Sequence, residues 1–81
     1  MNDIEKKVRG ILGNVLHITE DLKSYEPLQN HGLSSINFIN IIIRIEKDFN
    51  VEITDQDLGI NKFSTIEAIV TYITNLKSVN A

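Results

Sequence analysis

Cysteine is absent from this chain of 81 residues. Its absence excludes a disulfide framework and any metal site built from thiolates. The hydrophobic core must therefore stabilise the fold unaided. With 42% hydrophobic residues, a chain of this length is long enough for one core and too short for two. We expect a single domain over residues 1–81.

Long apolar runs are also missing. The densest stretch, residues 36–43, is interrupted by Asn37 and Asn40, and its longest run is Ile41–Ile43. The N-terminus carries mixed charges from Asp3 onward instead of a basic segment followed by an apolar one. These features argue against a signal peptide and a membrane span, so we expect a cytoplasmic protein.

A basic stripe is the third missing feature. The formal net charge is −3, and one acidic stretch has Lys47 as its single base among the acids Glu46, Asp48, Glu52, Asp55 and Asp57. A nucleic-acid surface needs clustered bases to displace counterions, so we expect no nucleic-acid partner. The acidic stretch favours a basic protein partner, with a plain solvated acidic face as the alternative.

Apolar spacing predicts two of the helices directly. Residues spaced by threes and fours from Ile4 to Ile18 predict a first amphipathic helix. A second helix is predicted over Ser35 to Phe49. On a helical wheel its core residues lie within about 100° of one another, and the polar residues lie on a different side. That predicted core stripe consists of Phe38, Ile41, Ile42, Ile45 and Phe49.

Cap residues and breakers predict the remaining elements. Residues between Thr19 and Leu33 lack periodicity and contain Pro27, which indicates a long loop with one helical turn at most. Thr54 can cap a short third helix that Gly59 ends. Ser64 and Glu67 can form a capping box for the last helix. The prediction is an all-α fold, a small bundle of three main helices and one short helix.

A second apolar stripe remains on the second helix after the core stripe is assigned. Ile36, Ile39 and Ile43 lie on another side, next to Ser35. Small domains seldom expose contiguous apolar surface without a binding reason. The stripe either binds a partner or packs under the long loop or the third helix, and spacing alone leaves both open.

Ser35 stands at the predicted helix start, shortly after Gly32. Free amides and the positive end of the helix dipole suit a phosphate ester at such a position. Ser34 or Ser35 can equally be an ordinary helix cap. A cap accounts for one serine, and it does not account for the apolar stripe beside it.

Two segments resemble the acyl and peptidyl carrier proteins. Residues 32–36 read Gly-Leu-Ser-Ser-Ile, similar to the family signature Gly-Leu-Asp-Ser-Leu. Residues 46–53 read Glu-Lys-Asp-Phe-Asn-Val-Glu-Ile, similar to Glu-x-x-Phe-Gly-Val-x-Ile at the end of the family's second helix. Leu28 and residues 63–67 also match, so the resemblance covers the chain.

The resemblance implies a carrier protein and not an enzyme. A phosphopantetheinyl transferase would move 4'-phosphopantetheine from coenzyme A to Ser35, and the thiol of that group would carry acyl or aminoacyl thioesters. Loading and condensing enzymes would then dock on a monomeric, acyl-carrier-like bundle. We expect the partner-binding residues to be Ser34, Ile36, Ile39, Ile43, Glu46, Lys47 and Glu52, with Asp48 as a further steering charge.

Three positions depart from the family pattern. Ser34 stands where aspartate is common, His31 where an apolar residue is usual, and Asn40 where fatty-acid carriers often have an acid. These departures favour a specialised carrier of a polyketide or nonribosomal pathway over a fatty-acid carrier.

Other classes of function are less well supported. His17 and His31 have no acid or thiol at metal-ligand spacing, and Ser35 lacks a nucleophile-elbow motif. A helical DNA binder would need a basic recognition helix. The main alternative is an unmodified module with the carrier fold, which binds a partner through the isoleucine stripe.

Overall fold

The computed structural model describes residues 3–18, 21–54 and 59–79. These residues form three α-helices: α1 (Asp3–Leu16), α2 (Ser35–Phe49) and α3 (Ile66–Val79). Two 3-10 turns, Leu28–His31 and Ile60–Phe63, lie in the connections. The predicted all-α class and its three main helices are confirmed. The short helix predicted after Thr54 falls on residues 55–58, outside the described part.

α1 and α2 begin and end close to where the sequence predicts. Asp3 and Glu5 occupy the first turn of α1, where the positive dipole end favours acids. α1 ends at Leu16, because His17 adopts a left-handed φ of 57°. α2 has the predicted bounds and ends at Phe49. Asn50 caps it with a left-handed φ of 54°, and the N–H groups of Asn50 and Val51 both donate to the Glu46 carbonyl.

The core is mostly aliphatic with three buried phenylalanines, and the long loop contributes to it through Leu22, Leu28 and Leu33. α1 packs against both α2 and α3 around this core. The buried hydrophobic side chains are Val8, Ile11, Leu12, Leu22, Leu28, Leu33, Phe38, Ile41, Ile42, Ile45, Phe49, Ile53, Phe63, Ile66, Ile69 and Ile73.

The long loop is tied to the bundle by backbone hydrogen bonds. Leu28 N–H donates to the Ser64 carbonyl at 2.8 Å, and Glu67 N–H donates to the Ser24 carbonyl at 2.9 Å. The Arg9 guanidinium of α1 donates to the Leu22 carbonyl at 2.7 Å. The loop before α2 therefore has a defined path across the start of α3, and its 3-10 turn matches the single predicted turn.

The start of α3 differs from the prediction. Thr65 caps the helix, because its Oγ1 accepts the Ala68 N–H at 3.0 Å. Ser64 is still in the αR region (φ −80°, ψ −15°) as it leaves the second 3-10 turn, whereas a helix cap is normally extended. The predicted capping box of Ser64 and Glu67 is wrong for this reason, and the Glu67 N–H is used by Ser24 instead.

Within the described ranges, every helix is too short or too polar to cross a bilayer.

Candidate functional site around Ser35

Ser35 is the first residue of α2, and its side chain is exposed. The preceding residue is the cap: Ser34 is extended (φ −133°, ψ 173°), and its Oγ accepts the Asn37 N–H at 3.3 Å. The Ser34 carbonyl accepts the Phe38 N–H at 2.8 Å. Since Ser34 does the capping, the hydroxyl of Ser35 is not needed for it.

Gly32 turns the chain toward Ser35. Its φ of 102° lies in the left-handed region, and its N–H closes the preceding 3-10 turn on the Leu28 carbonyl. The Leu33 N–H donates to the same carbonyl at 3.1 Å. No atom lies within 4 Å of a Cβ built at Gly32, so the backbone angle and not lack of space requires glycine here.

Asn37 makes two contacts with the residues that precede Ser35 in the chain. Its backbone N–H binds Ser34 Oγ, and its side-chain Nδ2 donates to the Gly32 carbonyl at 2.8 Å. The residues before Ser35 are thereby connected to the first turn of α2. Sequence reasoning missed this role, although an asparagine three residues after a capping serine was the available signal.

The second apolar stripe of α2 is exposed. Ile36, Ile39 and Ile43 show 78%, 50% and 55% of their surface. The alternative that this stripe packs under the long loop is therefore wrong, whereas packing against the short third helix concerns residues 55–58, which lie outside the described residues. Its isoleucines extend along α2 from the residue after Ser35, which places an apolar surface directly beside the exposed hydroxyl.

The acidic stretch after the stripe has internal contacts. Glu46 Oε2 accepts the Ile53 N–H at 2.9 Å, which stabilises the turn that follows α2. Asp48 Oδ2 lies 4.0 Å from the Arg44 guanidinium, one helical turn earlier. Lys47 and Glu52 are exposed. Two of the predicted steering acids thus also make contacts within the chain.

His31 pairs with a carboxylate of the loop. Its Nε2 lies 3.3 Å from Glu26 Oε1, and Glu26 Oε2 accepts the Lys23 N–H at 2.7 Å. The hydrogen bond from Lys23 is the main reason that the pKa of Glu26 is lowered, and the His31 contact lowers it further. A polar pair thus stabilises the loop directly before Gly32.

Three aromatic rings connect the start of α2 to α3. Phe38 lies 5.5 Å from Phe63 between ring centroids, and Phe63 lies 5.1 Å from Tyr72 in an edge-to-face arrangement. Both phenylalanines are buried. Aromatic packing therefore connects the first turns of α2, which present Ser35, to the core and to α3.

Comparison with known proteins identifies similar sequences over nearly the whole chain. The family model described as phosphopantetheine attachment site matches residues 6–73. The acyl carrier protein of Buchnera aphidicola subsp. Schizaphis graminum is 31% identical over 77 residues, which cover 93% of this chain and 95% of that protein. The acyl carrier protein of Campylobacter jejuni subsp. doylei is 33% identical over 72 residues, covering 86% and 91%.

Proposed function

This chain belongs to the phosphopantetheine attachment family, and on that premise we propose that Ser35 is the residue that carries the group. The family and the cofactor expected from the sequence, a covalent 4'-phosphopantetheine, are confirmed at the level of the family. The observation that supports Ser35 is its exposed hydroxyl at the start of α2, beside three exposed isoleucines.

The residues around Ser35 fit a phosphate ester. The cap on Ser34 uses the amides of Asn37 and Phe38, which leaves the earlier amides of Ser35 and Ile36 at the open end of the helix. The positive end of the helix dipole favours the added negative charge. The first turn of α2 contains no acidic residue that would repel a phosphate.

The part of Ser35 in the attachment is that of an acceptor. Its Oγ forms the new bond to the phosphorus transferred from coenzyme A, the adenosine bisphosphate leaves, and the serine proton is lost. The first turn of α2 offers no carboxylate as a base, so we expect the transferase to remove that proton. Once attached, the group supplies a thiol that holds acyl or aminoacyl cargo as a thioester, so the carrier itself needs no catalytic residues.

Partner enzymes would dock on the face of α2 next to Ser35. We assign this surface to the residues predicted above: Ser34, Ile36, Ile39, Ile43, Glu46, Lys47 and Glu52. Its apolar part is small, which suits contacts that form and break quickly. A shuttle needs such contacts because it must leave each enzyme to reach the next.

The expected partners are a phosphopantetheinyl transferase and the enzymes that load and condense the cargo. We expect the carrier to act as a monomer in the cytoplasm. Ser34 and Asn40 replace acids that are common in fatty-acid carriers, and this supports a polyketide, nonribosomal or other specialised pathway. The cap made by Ser34 indicates that the replacement keeps the helix start intact.

An unmodified interaction module is the second candidate, and the exposed isoleucines favour it as well. In that case Ile39→Glu would abolish binding to a partner whether or not Ser35 is modified. A carrier would instead lose function completely when Ser35 is replaced, even with the isoleucine surface intact.

Intact-mass measurement tests the assignment of Ser35. The purified protein is incubated with coenzyme A and a broad-specificity phosphopantetheinyl transferase, and one added phosphopantetheine is expected. Ser35→Ala should gain no mass. Ser34→Ala loses the cap but keeps the Ser35 hydroxyl, so it should still gain one group. An unmodified native protein, or addition to Ser35→Ala, would contradict the proposal.

A further inference from the structure

The side chain of Asn37 has a contact that helix formation does not require. Its carboxamide Nδ2 reaches back to the Gly32 carbonyl at 2.8 Å, five residues earlier in the chain. The same residue gives its backbone N–H to Ser34 Oγ at 3.3 Å. Two hydrogen bonds from Asn37 thus hold the segment directly before Ser35, one at the Gly32 turn and one at the Ser34 cap.

The chemistry of the side-chain contact requires a donor. A backbone carbonyl can only accept, so the group facing Gly32 must carry hydrogen. Aspartate has the same shape as asparagine, but its ionised carboxylate only accepts and would repel the Gly32 carbonyl oxygen. The contact with the Gly32 carbonyl therefore favours an amide over an acid at position 37.

The Gly32 carbonyl belongs to a chain of hydrogen bonds. The Gly32 N–H binds the Leu28 carbonyl, and the Leu28 N–H binds the Ser64 carbonyl at 2.8 Å. Through Asn37 the start of α2 is connected to this chain and so to the end of the second 3-10 turn. Loss of the carboxamide would remove the link between the Gly32 carbonyl and α2, while the cap on Ser34 would remain.

We propose that Asn37 is a positioning residue for the modification of Ser35, which holds the segment Gly32–Ser34 in the conformation that the transferase recognises. The inference rests on the proposed function of Ser35. The Asn37 carboxamide is bonded to the Gly32 carbonyl, so its effect on the Ser35 hydroxyl is indirect.

A positioning role predicts a particular kinetic signature. If the recognised conformation is populated in only a fraction of molecules, the apparent affinity falls by that fraction while the bound complex reacts normally. Loss of one solvent-accessible hydrogen bond should raise the KM of the transferase for the carrier by about threefold to tenfold. The kcat should stay within about twofold, since chemistry occurs in the bound conformation.

The experiment measures transferase kinetics with coenzyme A on wild type, Asn37→Asp and Asn37→Ala. Asn37→Ala removes the donor without adding charge, and Asn37→Asp adds repulsion, so the KM should rise in both and more in Asn37→Asp. Asn75→Asp, an exposed position on α3, is the control for a new carboxylate and should behave as wild type. Native-state amide exchange on the unmodified proteins should show faster exchange at Leu33 and Ser34 in both Asn37 variants.

Each outcome decides a separate question. A wild-type protein that accepts no group overturns the function proposed for Ser35. A modified wild type with an unchanged KM in both Asn37 variants overturns the role of Asn37 alone. Unfolding of Asn37→Ala, or a loss confined to kcat, would also overturn it, because either result gives the carboxamide a role other than placing the loop.

Discussion

Ile41 and Ile43 are the same residue type two positions apart in α2, yet they serve opposite faces of the helix. Ile41 is 1% exposed and Ile43 is 55% exposed. The buried face is explained by the energy of folding, since removing such a side chain from water is favourable. The exposed face gains less from folding, and small domains seldom expose such a surface without a binding reason, so we propose that its isoleucines serve association with another molecule.

The largest difference between the two faces should appear in stability. Ile41→Ala leaves a cavity between α2 and the core, and we expect it to lower the free energy of unfolding by about 2–5 kcal/mol. Ile43→Ala should change it by less than about 0.5 kcal/mol, as is usual for exposed positions. Urea unfolding followed by circular dichroism measures both. Equal losses would remove the distinction between the faces.

Glu46 tests whether an acid beside the exposed stripe also has a structural role. Its carboxylate accepts the Ile53 N–H, so Glu46→Ala should cost about 1–2 kcal/mol of unfolding free energy. Glu52→Ala, at an exposed acid nearby, is the matched control and should cost less than about 0.5 kcal/mol. If the two variants unfold at the same urea concentration, the bond to Ile53 has no net effect on stability.

Ile39→Glu should separate association from folding. A charge at this exposed position should change the free energy of unfolding by less than about 0.5 kcal/mol. It should nevertheless raise the KM of the transferase, because burying a charge in an apolar contact is unfavourable. Thr74→Glu, at an exposed position on α3, is the control. A KM that rises equally in both variants would assign the effect to net charge and not to the stripe.

The smallest expected effect on stability concerns the polar pair of Glu26 and His31 in the loop before α2. The pKa of Glu26 is lowered below its ordinary value of 4.5, chiefly by the Lys23 N–H. The ionised form is thus favoured in the folded state, and its contribution is present above pH 4.5 and lost as the pH falls through the lower, folded pKa.

The pH dependence of Glu26→Gln measures this contribution. Wild type should unfold at a higher urea concentration than the variant at neutral pH, and the two midpoints should converge below pH 4.5. A difference that grows on acidification would contradict the assigned direction.

The sequence predicts α2 well because each of its signals is local. The five residues assigned to its core stripe are all buried, and the cap at Ser34 precedes them directly. The start of α3 is predicted less well. There the Ser64 carbonyl accepts the N–H of Leu28, a residue far away in the chain. Local patterns do not contain such contacts.

The candidate site shows the same limit. Ser35 and the three isoleucines follow from spacing and from a family motif, and the structure exposes all four. Two hydrogen bonds were not predicted: Ile53 N–H donates to the Glu46 carboxylate, and the Asn37 carboxamide donates to the Gly32 carbonyl. Each crosses a turn, and hydrophobic periodicity does not specify the geometry of a turn. The attachment of the group to Ser35 and the docking of partners on α2 stay predictions until the variants are measured.

The packed rings of Phe38, Phe63 and Tyr72 give the protein an intrinsic optical probe. Tyrosine is the fluorophore to use here, because the chain has two tyrosines and no tryptophan. Tyr25 is exposed, whereas Tyr72 lies against Phe63. In a Tyr25→Phe protein, the emission of Tyr72 would therefore report whether cargo on the serine disturbs the interior, without an attached dye.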